Sequence, residues 1–549
     1  MPFKNVRVQI KRKLNGWRIV SLMGAAAILL PILLVFLSIF DAPNDNWLQI
    51  KRYLIKDYMV QTVWLTLLTG VLTTFLGVSL AWLVAVFDFP GKRFFRWALV
   101  LPLAIPPYIA AYTYSTMFSY TGIIQKTLRN QWGILPNQDW ITLSSMRGAV
   151  IIFTLFLFPY VYLITRAYFE KQSASYIENA RLLGRRPLSI FLRVALPLSR
   201  PAIAGGVSLV VFEVLSDYGV TNYFGLHTIS TAIFQTWFGM YDVESAMRLA
   251  AWLMMIVVGL FILERFLRSH RAYSSTTSKS KLLAPRRLTG LPKWSAYIVC
   301  FSIWCFSFLI PLVQLMVWAS WTFETVWKDD FFSYLTRTLY VATLSTCIIM
   351  VFSLIVGAVN RSRSTFSYML SKGITAGYSV PGAIIAIGVL ALFLQLDRGL
   401  SSVYHGLGFG GTPVVLSLTA VMLVSGYVIR FMATGYNAVD TGFERVGRKY
   451  TEASRILGMG MTRTFFRVDF PLIKGAVISG FILTFVEICK ELPLALLLRP
   501  FNFDTLATKT YQYANNEQIY EASIPSLLII GISFTSVYIL QYLDRSEKR

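Results

Sequence analysis

A stretch of 23 residues occurs twice in this chain, 274 positions apart and without a gap. The first copy reads YIENARLLGRRPLSIFLRVALPL from Tyr176, and the second YTEASRILGMGMTRTFFRVDFPL from Tyr450. Tyr176, Glu178, Arg181, Leu183, Gly184, Phe191, Arg193, Val194, Pro197 and Leu198 recur unchanged at 450, 452, 455, 457, 458, 465, 467, 468, 471 and 472. Each copy lies between two hydrophobic runs, and charge bias alone does not produce an ungapped repeat of this kind. It points to two related halves that offer equivalent docking points to one kind of partner.

The repeat extends beyond the loop. QTVWLTLL from Gln61 parallels RTLYVATL from Arg337, and LAIPPYIAA from Leu103 parallels YSVPGAIIA from Tyr378, each near the same offset. Hydrophobic residues make up 55% of the chain and charged ones 14%, and runs of about 20 apolar residues match a hydrocarbon core of about 30 Å. Twelve spans are expected, at 19–40, 60–87, 97–118, 148–168, 202–222, 249–264, 296–319, 339–359, 373–396, 413–430, 474–498 and 526–543. The expected fold is an all-α polytopic membrane protein with two six-span halves, 1–268 and 294–549. A polar cytoplasmic linker over 269–293, with SSTTSKSK at its centre, has the composition of a flexible tether. Six is even, so both halves enter the bilayer with the same topology, and parallel repeats place a pathway on a pseudo-twofold axis along the membrane normal.

The net charge of +24 raises nucleic acid as a partner, but the positions of the basic residues exclude it. With a cytoplasmic N-terminus, well over half of the 51 Lys and Arg fall in cytoplasmic segments, as the positive-inside rule requires. Both termini are then cytoplasmic. The run from Ile19 to Phe40 is longer than a signal-peptide core and no small-x-small site follows it before Asp41, so it reads as a retained first helix. Cys300, Cys305, Cys347 and Cys489 form no C-x-x-C pair and read as apolar filler. No G-x-x-x-x-G-K-[ST] loop is present, and His227, His270 and His405 lie apart, so neither an ATPase site nor a catalytic constellation is expected. No cofactor is called for.

Within each repeat loop, Ile177 to Leu183 and Thr451 to Leu457 are good helix formers that run into Gly184 or Gly458, where glycine can take the left-handed conformation that closes a helix. Pro197 and Pro471 then stand at the start of the next span, where a missing N–H is harmless. Each loop therefore reads as a rigid elbow tied to a spanning helix.

At these residues the chain resembles the permease subunits of bacterial ATP-binding-cassette importers, whose loop carries E-A-A, three residues, G, and a later hydrophobic-Pro pair. Glu178-Asn179-Ala180 with Gly184 and Leu196-Pro197 match in the first copy, and Glu452-Ala453-Ser454 with Gly458 and Phe470-Pro471 in the second. The departures are Asn179 and Ser454. The resemblance implies a type I permease fold with tandem halves. It also implies two ATPase subunits on the cytoplasmic side, one per elbow, a solute-binding protein on the outer side, and a location in the bacterial inner membrane.

Adding 274 to Glu213 and Asp217 gives Glu487 and Glu491, so two acidic positions recur in the spans that follow the loops. Each pair is spaced i, i+4 and is expected on one helix face. An ionised acid at mid-membrane depth costs on the order of 3 kcal/mol on insertion scales, which is too much for decoration. The functional reading is a cation pathway lined by Glu213, Asp217, Glu487 and Glu491, with Tyr218 as an oxygen ligand; oxygen donors suit hard cations. The alternative is internal pairing with Lys490 or Arg499, or protonation. The segments from Glu213 and Lys490 look like the fused-half ferric-iron importer permeases over nearly the whole chain, although the same architecture serves thiamine, phosphonate and polyamine importers. A secondary transporter with twelve spans is the remaining alternative, and it has no need of a duplicated docking loop.

Overall fold

The structure is a computed structural model that describes residues 16–135, 137–171, 180, 182–185, 187–269, 285–361, 365–376, 380–406 and 415–547. The first half carries α1 (Gly16–Leu37), α2 (Ile55–Val86), α3 (Pro107–Phe118), α4 (Met146–Lys171), α5 (Arg200–Ser216) and α6 (Val243–Ser269). The second carries α7 (Ile310–Val326), α8 (Asp329–Asn360), α9 (Gly382–Gly406), α10 (Ala420–Val446), α11 (Phe470–Lys490) and α12 (Ser523–Glu547). The chain is an all-α polytopic membrane protein.

Among the described residues, nine of these units lie in stretches long and apolar enough to cross a membrane unbroken, while α3 and α5 belong to stretches bent by 90° and 72°. The bend ahead of α5 has a local cause: Pro201 has no N–H to give the carbonyl of Pro197, and its ring crowds that carbonyl. The twelfth unit, α10, is too polar to qualify by composition, because it carries Arg430, Asp440, Glu444 and Arg445. It also starts later and runs much further than the 413–430 expected from hydropathy. Its polar groups are used inside the protein: Asn360 Nδ2 donates to the Tyr436 hydroxyl at 2.9 Å.

The two halves superpose in register at the level of elements. α4 begins at Met146 and α10 at Ala420; π-turns occupy Phe191–Ala195 and Phe465–Asp469; short helices Gly219–Tyr223 and Pro493–Leu498 follow α5 and α11. All of these are separated by the same 274 residues. In each half three helices pack together, α2 with α4 and α5, and α8 with α10 and α11. A Cβ on Gly206 would lie 2.8 Å from Val161 Cα, and one on Gly480 2.7 Å from Ala438 Cβ, so these equivalent glycines let the helices of each half approach closely.

The halves also interlock. α1 packs on α8 and α9 of the second half, and the stretch leading into α7 packs on the first, with Phe94 and Trp304 edge to face at 5.1 Å. The end of the linker is pinned rather than free: Phe87–Asp88 pairs in parallel with Arg286–Arg287. The linker residues 270–284 lie outside the described residues.

Several expected spans differ in kind. The stretch 97–118 is interrupted between Ala104 and Pro107, and 373–396 covers the end of a helix at Ala376 and the start of α9 at Gly382. The stretches 202–222 and 474–498 are not continuous helices, because α5 ends at Ser216 and α11 at Lys490, and Asp217 (ψ 135°) and Glu491 (ψ 123°) are extended. Glu213 and Asp217 therefore do not share one helix face, nor do Glu487 and Glu491.

Candidate functional site

Breaking a helix inside a bilayer frees backbone groups that lipid cannot satisfy. Here the carboxylates at the breaks supply the partners. Asp217 Oδ1 accepts the N–H of Val220 at 2.9 Å and of Thr221 at 3.2 Å, and Glu491 Oε1 accepts the N–H of Leu494 at 3.3 Å. Gly219 is required at the first break, since a Cβ there would lie 2.6 Å from Tyr108 Cβ. A further matched pair ties the next helices down: Ile229 N donates to Thr62 Oγ1 at 3.0 Å, and Leu506 N to Thr338 Oγ1 at 2.8 Å.

The two breaks meet at a cavity of about 100 Å³ whose wall includes Glu213, Ser216 and Asp217 from the first half and Arg430, Glu487, Lys490 and Glu491 from the second. Tyr108, Phe153, Phe156 and Tyr160 contribute aromatic wall. Four carboxylates thus face two cations. Lys490 Nζ pairs with Glu487 Oε1 at 2.8 Å, not with its neighbour Glu491. Arg499 pairs with Asp504 and takes no part in the cavity. Arg430 reaches across the halves: its Nη2 donates to Ser216 Oγ at 2.9 Å and its Nη1 to the Val380 carbonyl at 2.5 Å. Ser216 Oγ also accepts the Gly382 N–H at 2.9 Å.

All four acidic positions expected in the pathway therefore line one cavity. Tyr218 does not line it; its ring stacks on Phe234 with centroids 3.6 Å apart. Among the described residues, no three acids, histidines or cysteines converge closely enough to hold a metal ion. Sequence reasoning missed Arg430 and Ser216. An arginine in the run AVMLVSGYVIRFMATGY was a legible signal, but a span drawn to end at residue 430 turned it into a boundary residue.

The repeat loops form the second feature. The second copy folds as a helix, Lys449–Ile456, followed by Gly458 at φ 84°. Met459 N donates to the Ser454 carbonyl at 3.2 Å, and in the first copy Arg185 N donates to the Ala180 carbonyl at the same distance, with Gly184 at φ 71°. Both ends are six-to-one closures built on a left-handed glycine. Glu178 lies outside the described residues. Ala180 is buried in an apolar cluster that includes Trp82, Phe169 and Ile190, and its counterpart Ser454 is buried too, bonded to Thr464 Oγ1 at 2.9 Å, whereas Glu452 and Ala453 are exposed. Pro197 lies just before the bend into α5, and Pro471 in the first turn of α11. Each elbow holds out two large aliphatic side chains: Leu182 and Leu183 are 85% and 79% exposed, and Ile456 and Leu457 86% and 80%.

A family model for the binding-protein-dependent transport system inner membrane component matches residues 77–267 and again 349–549. The chain belongs to this family. The duplicated match coincides with the structural repeat, and the family makes the chain a multi-pass, non-catalytic membrane component of a binding-protein-dependent importer. Among curated proteins it is similar to the Fe(3+)-transport system permease protein FbpB 2 of Haemophilus influenzae, 24% identical over 93% of this chain and 96% of that protein. It is also similar to the ferric transport system permease protein FbpB of Actinobacillus pleuropneumoniae, 23% identical over 84% of this chain and 68% of that one. The molybdenum transport system permease protein ModB of Escherichia coli is 30% identical but matches only 26% of this chain and 61% of its own length.

Proposed function

We propose that this permease carries ferric iron inward, driven by two ATPase subunits seated on the two elbows and supplied by a solute-binding protein on the outer face, with both termini cytoplasmic. The observation that carries the cargo is the near full-length similarity to the Fe(3+)-transport permease. Its chemistry agrees with the cavity, because four carboxylates at the inner ends of broken helices suit a hard, highly charged cation. The exposed pairs Leu182–Leu183 and Ile456–Leu457 are the apolar knobs that a groove on each ATPase would accept. Glu178, Ala180, Gly184 and Pro197, with Glu452, Ala453, Gly458 and Pro471, form the coupling elements in this reading, and Glu213, Asp217, Glu487 and Glu491 the pathway. Tyr218, stacked on Phe234, is no longer part of the pathway in this reading.

The test is uptake of radiolabelled ferric iron into proteoliposomes that hold the permease, its ATPase and its binding protein, with ATP inside and thiamine, molybdate or sulfate as competitors. ATP-dependent iron uptake, insensitive to the competitors, is the expected result. Uptake that needs no ATPase would overturn the importer reading, and uptake of a competitor instead of iron would overturn the cargo.

A further inference from the structure

We propose that Arg430 is the resident counter-cation of the intramembrane carboxylates and decides whether the cavity admits a cation. The proposal rests on the import reading for its purpose, but not on iron being the cargo.

The pseudo-symmetry is broken at this cavity. Glu213 and Glu487 are counterparts, yet the residue three positions on is Ser216 in the first half and Lys490 in the second. Lys490 neutralises Glu487 at 2.8 Å. Glu213 has a hydroxyl where its counterpart has an ammonium, and it makes no ion pair among the described residues. The compensating charge comes instead from Arg430, whose own counterpart 274 residues earlier is Phe156. Arg430 lines the same cavity as Glu213 and Glu491. It also shares the space around Gly382 with Glu491: from the point a Cβ would occupy, Glu491 Oε1 is 2.8 Å away and Arg430 Cζ 3.6 Å.

A second observation points to a missing ligand. The Tyr108 hydroxyl is buried without a hydrogen-bond partner, on a residue that lines the same cavity. A buried hydroxyl costs free energy unless something bonds it, and a cation held by carboxylate oxygen would use a phenol oxygen as well. The guanidinium stands in the wall of the same cavity and is fixed by one bond to each half, Ser216 Oγ and the Val380 carbonyl. Separating the halves takes Ser216 and Glu213 away from Arg430 and leaves Val380 and Glu491 with it, so opening the interface and releasing Glu213 are the same event.

The test is titration of the purified, full transporter complex in nanodiscs with Tb³⁺, a hard trivalent ion whose emission nearby tyrosines sensitise. Arg430→Gln is expected to bind Tb³⁺ at least about tenfold more tightly than wild type, because it removes a repelling charge within a few ångströms. Glu213→Gln in the same chain should abolish the gain. Arg430→Lys, which keeps the charge and loses the fork, should bind as wild type does. No gain with Arg430→Gln, or an equal gain with Arg430→Lys, would overturn the proposal. If Arg430→Gln fails to assemble, the charge-balanced double variant Arg430→Gln/Glu213→Gln should assemble, and its failure would count against the proposal as well. The titration uses neither ATP nor iron. A wrong cargo therefore shows as absent iron uptake with the Tb³⁺ gain intact, and a wrong role for Arg430 as normal uptake with no gain.

Discussion

Asp217 and Glu491 stand 274 residues apart and cap equivalent short helices, Asp217 through the Val220 N–H at 2.9 Å and Glu491 through the Leu494 N–H at 3.3 Å. The longer glutamate side chain reaches the same backbone position in a helix that begins with Pro493, where one amide hydrogen is already missing. Each break commits one carboxylate oxygen to the backbone. The acids are therefore structural and electrostatic at once, and substitutions can separate the two roles.

Asp217→Asn keeps the capping acceptor and removes the charge, whereas Asp217→Ala removes both. Loss of a cap costs about 1 kcal/mol. Thermal unfolding of the purified complex should place Asp217→Ala a few degrees below wild type and Asp217→Asn close to it. Uptake should fall in both variants, because both lose the carboxylate. A stable but transport-dead Asp217→Asn is the informative outcome.

Gly184 and Gly458 have φ of 71° and 84°, and nothing lies within 4 Å of a Cβ built on either. Space is available and conformation is not, so the identity of the new side chain decides the effect. Asparagine tolerates the left-handed region, while a β-branched residue there is strained by roughly 1–3 kcal/mol. Gly184→Asn with Gly458→Asn should retain substrate-stimulated ATPase activity in the assembled transporter, and Gly184→Val with Gly458→Val should lose most of it. Equal loss in both would mean that bulk at the partner surface, not the closure of the elbow, is what matters.

Much of this arrangement was legible in the chain because the repeat is ungapped where it counts. Tyr176 and Tyr450 announce the same offset that later separates Met146 from Ala420 and Gly219 from Pro493. Hydropathy reported the lipid-facing helices well. It misjudged α10 because residues such as Tyr436 and Asp440 face Asn360 inside the protein, and a window average cannot tell a polar face turned inward from a helix that has ended. The breaks at Asp217 and Glu491 were hidden for a related reason. The runs SDYG and KELP are embedded in apolar sequence, so they read as charged positions on a helix rather than as a stop followed by a new start. Arg430 was visible as a letter, but its role depends on Ser216, which lies in the other half.

Asp242 gives one end of the first half a pH dependence. Its Oδ2 accepts from Asn44 Nδ2 at 2.8 Å, Asn46 Nδ2 at 3.0 Å and Ser245 Oγ at 2.7 Å, joining the segment after α1 to the start of α6. Burial pushes its carboxyl up, but the bonds from Ser245, Asn46 and Asn44 outweigh it and hold it below the usual aspartate value. A depressed carboxyl stabilises the fold above its unfolded pKa, and that contribution is lost as pH falls through the folded value. As pH falls below the ordinary aspartate value and through the lower folded one, wild type should therefore lose thermal stability more steeply than Asp242→Asn, with the two curves converging at the acid end.

The two elbows are seated differently, and this predicts that they fail differently. In the second, Thr451 Oγ1 donates to Asp469 Oδ1 at 2.6 Å, and Arg361 lies 3.9 Å from the same carboxylate with both side chains under a tenth exposed. Arg361 also bonds the Gly447 carbonyl and covers the Phe443 ring at 4.8 Å. The residue equivalent to Asp469 in the first half is Ala195, fully buried in an apolar cluster with Trp82, Phe169 and Ile190. Removing one member of a buried pair strands the other charge and costs about 3 kcal/mol, while replacing both with apolar residues of similar size is often neutral. Asp469→Ala should therefore make the second elbow sensitive to limited proteolysis and lower the solute carried per ATP. Asp469→Leu with Arg361→Met should restore protease resistance. In the first elbow the reverse change, Ala195→Asp, should be damaging, because it buries a carboxylate among apolar side chains. If Asp469→Ala and wild type show the same proteolysis pattern and the same solute-to-ATP ratio, the ionic seat contributes nothing to coupling and the elbows are equivalent in use as well as in sequence.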